Sequence, residues 1–259
     1  MFTNKVCVIT GASLGIGRSL SRAFAKQGAK IAFIDKNLQA GLENEGYLRD
    51  LGSEVLFFHG DLAEEENLHK FKGQVINRFG SVDILINNAC YSSGCVLTPS
   101  SYDDFNQTLK VCVSSAYFLS QLFLPYFNKE ASIINISSTR ALMSQANTES
   151  YSAAKGAIHA LTHALAISLA GKVRVNAISP GWIDTGVCYD ESYQANYEAA
   201  DLDQHPSKRV GKPSDISRLA LFLANPKNDF INGENIVIDG GMSKQMIYHQ
   251  DQGWHLNSK

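Results

Sequence analysis

Seven short runs in the chain are apolar at nearly every position: residues 5–10, 30–34, 54–58, 82–86, 132–136, 173–178 and 235–238. A strand with one face in water alternates apolar and polar residues. These runs do not, so they predict strands buried on both faces, as in a parallel sheet. Longer stretches between them, among them 19–27, 67–78, 151–169 and 214–224, space their apolar residues three and four apart, which predicts amphipathic helices. Repeated strand–helix alternation predicts an α/β chain: one doubly wound parallel sheet of about seven strands, with helices on both faces, in a single domain spanning 1–259.

Residues 186–209 break this rhythm. Positions 186–205 carry Asp190, Glu191, Glu198, Asp201 and Asp203 with no Lys or Arg. Tyr189, Tyr193 and Tyr197 recur every four residues, which predicts a short helix with the tyrosines as one packed face. An insertion after a strand's C-terminal end is a natural place for a substrate lid. A second departure is the extension 243–259, with Met246, Tyr248, Trp254 and His255.

Composition narrows the class of partner. The 259 residues carry 23 Lys and Arg against 25 Asp and Glu, a net charge of −2, which argues against nucleic acid or an anionic membrane. No apolar run approaches the ~18 residues that span a bilayer. The N-terminus has no basic-then-apolar leader, and the expected location is the cytoplasm. Five cysteines (Cys7, Cys90, Cys95, Cys112, Cys188) with no Cys-x-x-Cys pair predict reduced thiols, with neither a disulfide framework nor structural zinc.

The first strand runs into Thr10-Gly11-Ala12-Ser13-Leu14-Gly15-Ile16-Gly17, which opens a helix. Glycines there let the backbone approach a pyrophosphate, and the helix N-terminus offers unpaired N–H groups to it. Asp35 ends the second strand 35 − 17 = 18 residues later, near the ~20-residue spacing of the acid that accepts hydrogen bonds from an adenosine ribose. Residues Gly11 to Gly15 also read as G-x-S-x-G, a hydrolase nucleophile elbow. Only twelve residues precede Ser13, too few for the strands and oxyanion loop such an elbow needs.

Tyr151 and Lys155 stand four apart, on one face of a predicted helix. A nearby positive charge favours tyrosinate and suits the phenol to general acid/base work. Asn135-Ile136-Ser137-Ser138 lies at the end of the fifth strand, where open α/β sheets gather ligand-contacting residues.

With these residues in order, the chain resembles the short-chain dehydrogenase/reductase family over essentially its whole length. The turn at 10–17 is similar to the family's glycine-rich turn, and Asp61-Leu62 to its adenine-contacting pair. Asn87-Asn88-Ala89 resembles its fourth-strand motif, and Ser138 has the family's spacing, 151 − 138 = 13 residues before Tyr151. Pro180-Gly181-Trp182-Ile183-Asp184-Thr185 resembles the nicotinamide-side loop, and Asp239-Gly240-Gly241 the C-terminal signature.

The resemblance implies a Rossmann-type fold and an enzyme that moves a hydride between a nicotinamide dinucleotide and a small alcohol or carbonyl compound. It makes Ser138, Tyr151 and Lys155 the catalytic residues. Tyr151 exchanges the proton with the reacting oxygen, Ser138 hydrogen-bonds that oxygen, and Lys155 holds the nicotinamide ribose. Cofactor binding falls to Gly11, Ser13, Leu14, Gly15, Ile16 and Gly17 at the turn and to Asp35, Asp61, Leu62, Asn88 and Ala89 on the adenosine side. Tyr151, Lys155, Pro180, Gly181, Ile183 and Thr185 complete it at the nicotinamide. A homotetramer or homodimer is implied as well.

Asp35 suits the two free ribose hydroxyls of NAD, whereas its charge would face the extra phosphate of NADP. Lys36 partly offsets that charge, but Leu14 stands where NADP users of the family often place a basic residue. NAD is therefore the expected cofactor and NADP the less suited. Two positions depart from the pattern. Cys112 stands where the family has a catalytic Asn, whose amide positions a relay water, and Cys90 replaces a glycine. Either another group serves the relay, with Ser114 or Ser115 as candidates, or proton exchange with solvent is impaired. The departure leaves open a second reading, a dinucleotide-binding protein with little turnover in a sensing or assembly role.

Arg140, Met143 and Tyr189 are the candidate substrate contacts, and Tyr248 and Trp254 are expected to pack on the rim of the active site. His159 and His163 have metal-ligand spacing. They lack the Glu of H-E-x-x-H and are read as subunit-interface residues, so no metal is expected.

Overall fold

The computed structural model describes residues 1–190 and 192–246, and the expected packing of Tyr248 and Trp254 lies outside that range. Seven parallel strands form one sheet in the order β3-β2-β1-β4-β5-β6-β7. They are β1 (Val6–Thr10), β2 (Lys30–Asp35), β3 (Val55–His59), β4 (Val82–Asn87), β5 (Phe127–Ile136), β6 (Val173–Pro180) and β7 (Asn235–Ile238). The expected strands all occur. β5 starts five residues early because the polar run Asn128-Lys129-Glu130 conceals its first half, where Phe127 pairs with Val82 before a register shift.

The helices α1 (Gly15–Lys26), α2 (Leu38–Asp50) and α3 (Glu65–Phe79) follow the first three strands. α4 (Tyr102–Leu109) leads through a π-helical turn, Lys110–Ser114, into α5 (Ser115–Phe123). α6 (Glu149–Ser168), the short α7 (Ala199–Asp203) and α8 (Pro213–Ala224) complete the described set. Two apolar layers hold the sheet. Leu20, Phe24, Leu48, Ile216 and Leu223 cover one face, and Phe71, Val75, Leu119 and Phe123 the other. Burying each such side chain stabilises the fold by about 1.5–3 kcal/mol.

A polar line crosses this apolar interior. The Asn87 amide donates to Asn135 at 2.8 Å, and the Asn135 amide donates to the Thr162 hydroxyl on α6 at 3.0 Å. The Ser137 hydroxyl also donates to the Lys155 carbonyl at 2.9 Å. Buried bonds of this kind fix how α6 lies against the ends of β4 and β5, because slippage would leave polar groups unpaired. No helix among the described residues is long and apolar enough to cross a membrane.

The segment after β6 corrects one expectation. Gly186–Cys188 forms a 3-10 turn and α7 begins only at Ala199, so Tyr189, Tyr193 and Tyr197 lie outside any α-helix. Their spacing serves a carboxylate instead of a packed face: Tyr193 donates to Asp184 at 3.0 Å, and Tyr197 donates to the same side chain.

Candidate active site

The C-terminal ends of β1, β4, β5 and β6 open into a cleft of about 1630 Å³ on either side of the β1–β4 switch point. That exceeds the roughly 300–1,000 Å³ of a site for one drug-sized ligand. It is room for a dinucleotide and a second molecule.

At one end lies the glycine-rich turn. Gly15 takes φ +59°, and a Cβ there would meet only the Tyr189 hydroxyl at 3.7 Å and the Thr185 methyl at 3.9 Å, so the space above the turn is open. Leu14 supplies no side-chain cap to α1, which leaves the first amides of that helix for an anion. The turn is braced from behind. The Asn88 amide donates to the Thr10 and Gly11 carbonyls at 3.0 and 2.9 Å, and the Thr10 hydroxyl accepts from the Asn88 and Ala89 N–H groups. Asp35 accepts from the Ser13 amide at 2.9 Å and the Asn37 amide at 3.0 Å, so its carboxylate is fixed at the lip of β2.

Ser138, Tyr151 and Lys155 line the middle of the cleft. The buried Lys155 donates its Nζ to the Ile136 carbonyl at 2.8 Å, and that nitrogen stands 5.5 Å from the Tyr151 ring centroid. The Ser138 hydroxyl oxygen accepts from the Arg140 amide at 3.1 Å, which leaves its own hydrogen free to donate into the cleft.

Beside them, the buried Cys112 thiol of the π turn accepts from the Tyr91 N–H at 3.3 Å and donates to the Tyr91 carbonyl at 3.4 Å, which sets it next to Cys90. The neighbouring Cys112 thiol lowers the Cys90 thiol to about 6, against partial desolvation at the cleft wall and helped by the charge of Lys155. The Cys90 thiol and burial push Cys112 upward. Neither Ser114 nor Ser115 reaches the cleft, which corrects their expected part in a proton relay. Both line a separate shallow depression near Leu62, and Ser115 donates to the Val111 carbonyl at 2.6 Å.

The remaining wall is the segment after β6. Burial would raise the Asp184 carboxyl, but hydrogen bonds from Tyr197, the Gly186 amide and Tyr193 outweigh it and hold the group below the ordinary carboxylate range. The Trp182 ring stands edge-on to Tyr197 at 6.0 Å and lies 6.0 Å from His205.

All the expected site residues line this cleft except Ser13 and Gly17. The Ser13 side chain is fully buried, and Gly17 packs against the turn itself, where a Cβ would come within 2.0 Å of the Gly11 carbonyl oxygen. Arg140 and Met143 stand near Ser138 as expected, with Arg140 donating to Gln145. The Tyr189 hydroxyl stands over Gly15, at the glycine-rich-turn end of the cleft.

Sequence reasoning missed Tyr91, Gln145, Thr148, Gln204, Met242 and Gln245, which also line the cleft. Gln145 and Thr148 could have been found from their place between Ser138 and Tyr151. Gln204 and Gln245 carry no local signal.

Comparison with known proteins is consistent along the chain. A family model described as Enoyl-(Acyl carrier protein) reductase matches residues 11–243. An uncharacterized oxidoreductase of Thermotoga maritima is 38% identical over 256 residues, which covers 96% of this chain and 100% of that protein. Among solved structures, an apo SCOR enzyme from Clostridium thermocellum superposes with a TM-score of 0.86 at 38% identity, over 99% of this chain and 100% of that one. A Brucella melitensis protein described as short-chain dehydrogenase/reductase SDR: glucose/ribitol dehydrogenase gives 0.84 at 30% identity, over 93% and 97%.

Proposed function

The chain belongs to the short-chain dehydrogenase/reductase family of oxidoreductases, and from that premise we propose that it interconverts a polyhydroxylated alcohol and its carbonyl form with NAD(H). The observation that carries this reading is the meeting of Ser138, Tyr151 and Lys155 in one cleft with an open glycine-rich turn.

The residues present fit a dinucleotide. The space over Gly15 and the uncapped start of α1 suit a pyrophosphate, and Asp35 suits the adenosine ribose. Asp61, Leu62, Asn88 and Ala89 would line the adenosine side, and Lys155 the other ribose. Pro180, Gly181, Ile183 and Thr185 would flank the nicotinamide. When bound, nicotinamide supplies hydride transfer.

The chain's own work is proton handling. Tyr151 gives its phenolic proton to a carbonyl oxygen in reduction, or takes the hydroxyl proton in oxidation. The ammonium of Lys155, 5.5 Å from the Tyr151 ring centroid, sets a positive charge beside that phenol. Ser138, its oxygen already accepting from Arg140, donates to the reacting oxygen and fixes its position. The far wall carries Ser144, Gln145, Thr148, Gln204 and Gln245, amides and hydroxyls suited to a substrate with several hydroxyl groups. The preference for NAD rests on Asp35. A charge at about 4 Å from the extra phosphate of NADP costs roughly 1 kcal/mol per charge pair in water-like surroundings and about 4 near a protein surface. Assembly into a homotetramer or homodimer is supported by the ladder of His159, His163 and the exposed Ile167 along the outer face of α6.

Titration with NADH and NADPH, followed by a screen of sugars and polyols with Tyr151→Phe as control, tests this reading. NADH should bind more tightly than NADPH. The variant should lose about 10²–10⁴-fold in turnover with NADH affinity unchanged. Retained activity would remove Tyr151 from its role. NADH binding with no turnover on any alcohol or carbonyl would favour a sensing protein.

A further inference from the structure

Two thiols meet at the cleft wall from elements distant in sequence. Cys90 follows Ala89 just beyond β4, in a stretch without secondary structure, and is exposed where it lines the cleft. Cys112, buried in the π turn, has its sulfur 3.3 Å from the backbone nitrogen of Tyr91, the residue bonded to Cys90, so the geometry sets the two thiols side by side. The ammonium of Lys155 acts on both sulfurs. The other charge nearby, Lys36, lies over the Tyr91 ring with its nitrogen 5.0 Å from the centroid. A thiol that combines exposure, a hydrogen-bond donor and an adjacent cation is the reactive kind, and a second thiol in contact is positioned to resolve it.

We propose that Cys90 and Cys112 form a redox-modifiable pair in which a hydroperoxide oxidises Cys90 and Cys112 closes an intramolecular disulfide. The Cys90 thiolate attacks the distal oxygen of ROOH. The S–O bond forms, the O–O bond breaks, and RO⁻ leaves to be protonated as ROH. Cys112 sulfur then attacks the sulfenic sulfur. The S–S bond forms, the S–O bond breaks, and hydroxide leaves as water with the Cys112 proton. Two thiols and one hydroperoxide thus give one disulfide, one alcohol and one water.

The order of events follows from access: Cys90 lines the cleft and meets the hydroperoxide first, whereas Cys112 is buried behind Tyr91 and can act only on what Cys90 has become. A disulfide needs the two sulfurs at about 2.05 Å, and the irregular stretch carrying Cys90 is free of the sheet and helix hydrogen bonds that would oppose the movement. The same stretch supplies Asn88 and Ala89 to the cleft, so the bridge ties the cofactor wall to the π turn.

Peptide mapping of the purified full-length protein tests the pair. In brief iodoacetamide labelling, Cys90 should react ahead of Cys95, with a rate nearly flat between pH 7 and 9. An ordinary thiol would rise about 25-fold over that range. After stoichiometric hydrogen peroxide, non-reducing maps should contain a Cys90–Cys112 peptide that dithiothreitol dissolves. Cys112→Ser should instead leave a dimedone-trappable sulfenic acid on Cys90. Should that variant not fold, the wild-type map decides alone.

A Cys90 rate that climbs like an ordinary thiol, or oxidation of Cys90 that leaves Cys112 free, would overturn the proposal. The pair rests on the proposed function only in taking this wall as a dinucleotide site. NADH should therefore slow the labelling of Cys90 at least tenfold. Labelling indifferent to NADH, with the disulfide still formed, would remove the cofactor from this wall and leave the thiol pair standing.

Discussion

The two walls of the cleft are built in different ways. Beneath α1 the wall is backbone: glycines shaped by φ and close approach, braced by Asn88 and Thr10 through their hydrogen bonds. Opposite, after β6, the wall is side chains gathered on one carboxylate, Asp184, beside a backbone bridge between Ile183 and Gly211. A diphosphate is chemically constant, and backbone amides held by sterics suit it. A substrate differs from one enzyme to the next, and a wall held by a few exchangeable side-chain bonds can be rebuilt around it.

The largest test of that contrast uses one glycine from each wall. A Cβ at Gly17 would lie 2.0 Å from the Gly11 carbonyl oxygen and 2.6 Å from the Asn88 amide nitrogen, neither of which can move without dismantling the turn. Gly17→Ala should cost about 3 kcal/mol, the upper end for overpacking, and lower Tm by roughly 6–12 °C, with NADH affinity reduced more than tenfold. At Gly186 the clash is nearly as close, 2.3 Å, but it is with the exposed Tyr193 ring, which can swing away. Gly186→Ala should shift Tm by less than about 3 °C. Equal shifts in thermal melts of the two variants would mean that the walls do not differ in rigidity.

In the proposed reading Asp35 joins the backbone wall to cofactor choice, and the two roles separate by substitution. The carboxylate both carries charge and accepts from Ser13 and Asn37. Asp35→Asn keeps an acceptor oxygen and removes the charge, so the preference for NADH over NADPH should narrow by about tenfold, within the 1–4 kcal/mol expected for the lost repulsion. Asp35→Ala should also weaken NADH itself, because the turn loses its brace. If paired titrations show an unchanged ratio for both variants, selection lies elsewhere, with Lys36 the first residue to examine.

The same division governs what could be read from the sequence. Strands buried on both faces announce themselves as continuous apolar runs, and all seven occur. Where the strand surface is polar, as at Asn128-Lys129-Glu130, the start of β5 is hidden. The backbone wall was legible because glycine spacing and the Asp35 offset are local. The side-chain wall was not. Tyr189, Tyr193 and Tyr197 have helical spacing, yet two of them answer to Asp184 and one to Gly15. Cys112 was legible as a departure from the family pattern, but its partnership with Cys90 depends on a π turn that no periodicity signals.

The smallest expected effect probes the side-chain wall at its centre. Tyr197→Phe removes one hydrogen bond to Asp184 and leaves those from Tyr193 and the Gly186 amide. The loss is about 1 kcal/mol, roughly fivefold in the KM of the substrate, with NADH affinity unchanged because the backbone wall is untouched. The pH dependence has a definite sign. The folded Asp184 carboxyl lies below its ordinary value, so its contribution is complete above the unfolded value of about 3.9 and is lost only as pH falls through the folded value. Tyr197 is shifted upward, chiefly by burial and by its bond to Asp184, and remains a neutral donor beyond the usual tyrosine range. Both groups therefore keep their charge states from pH 6 to 8, and the KM penalty should be the same at the two ends. A penalty that disappears at pH 6 would mean that a group other than the Asp184 carboxylate holds this wall.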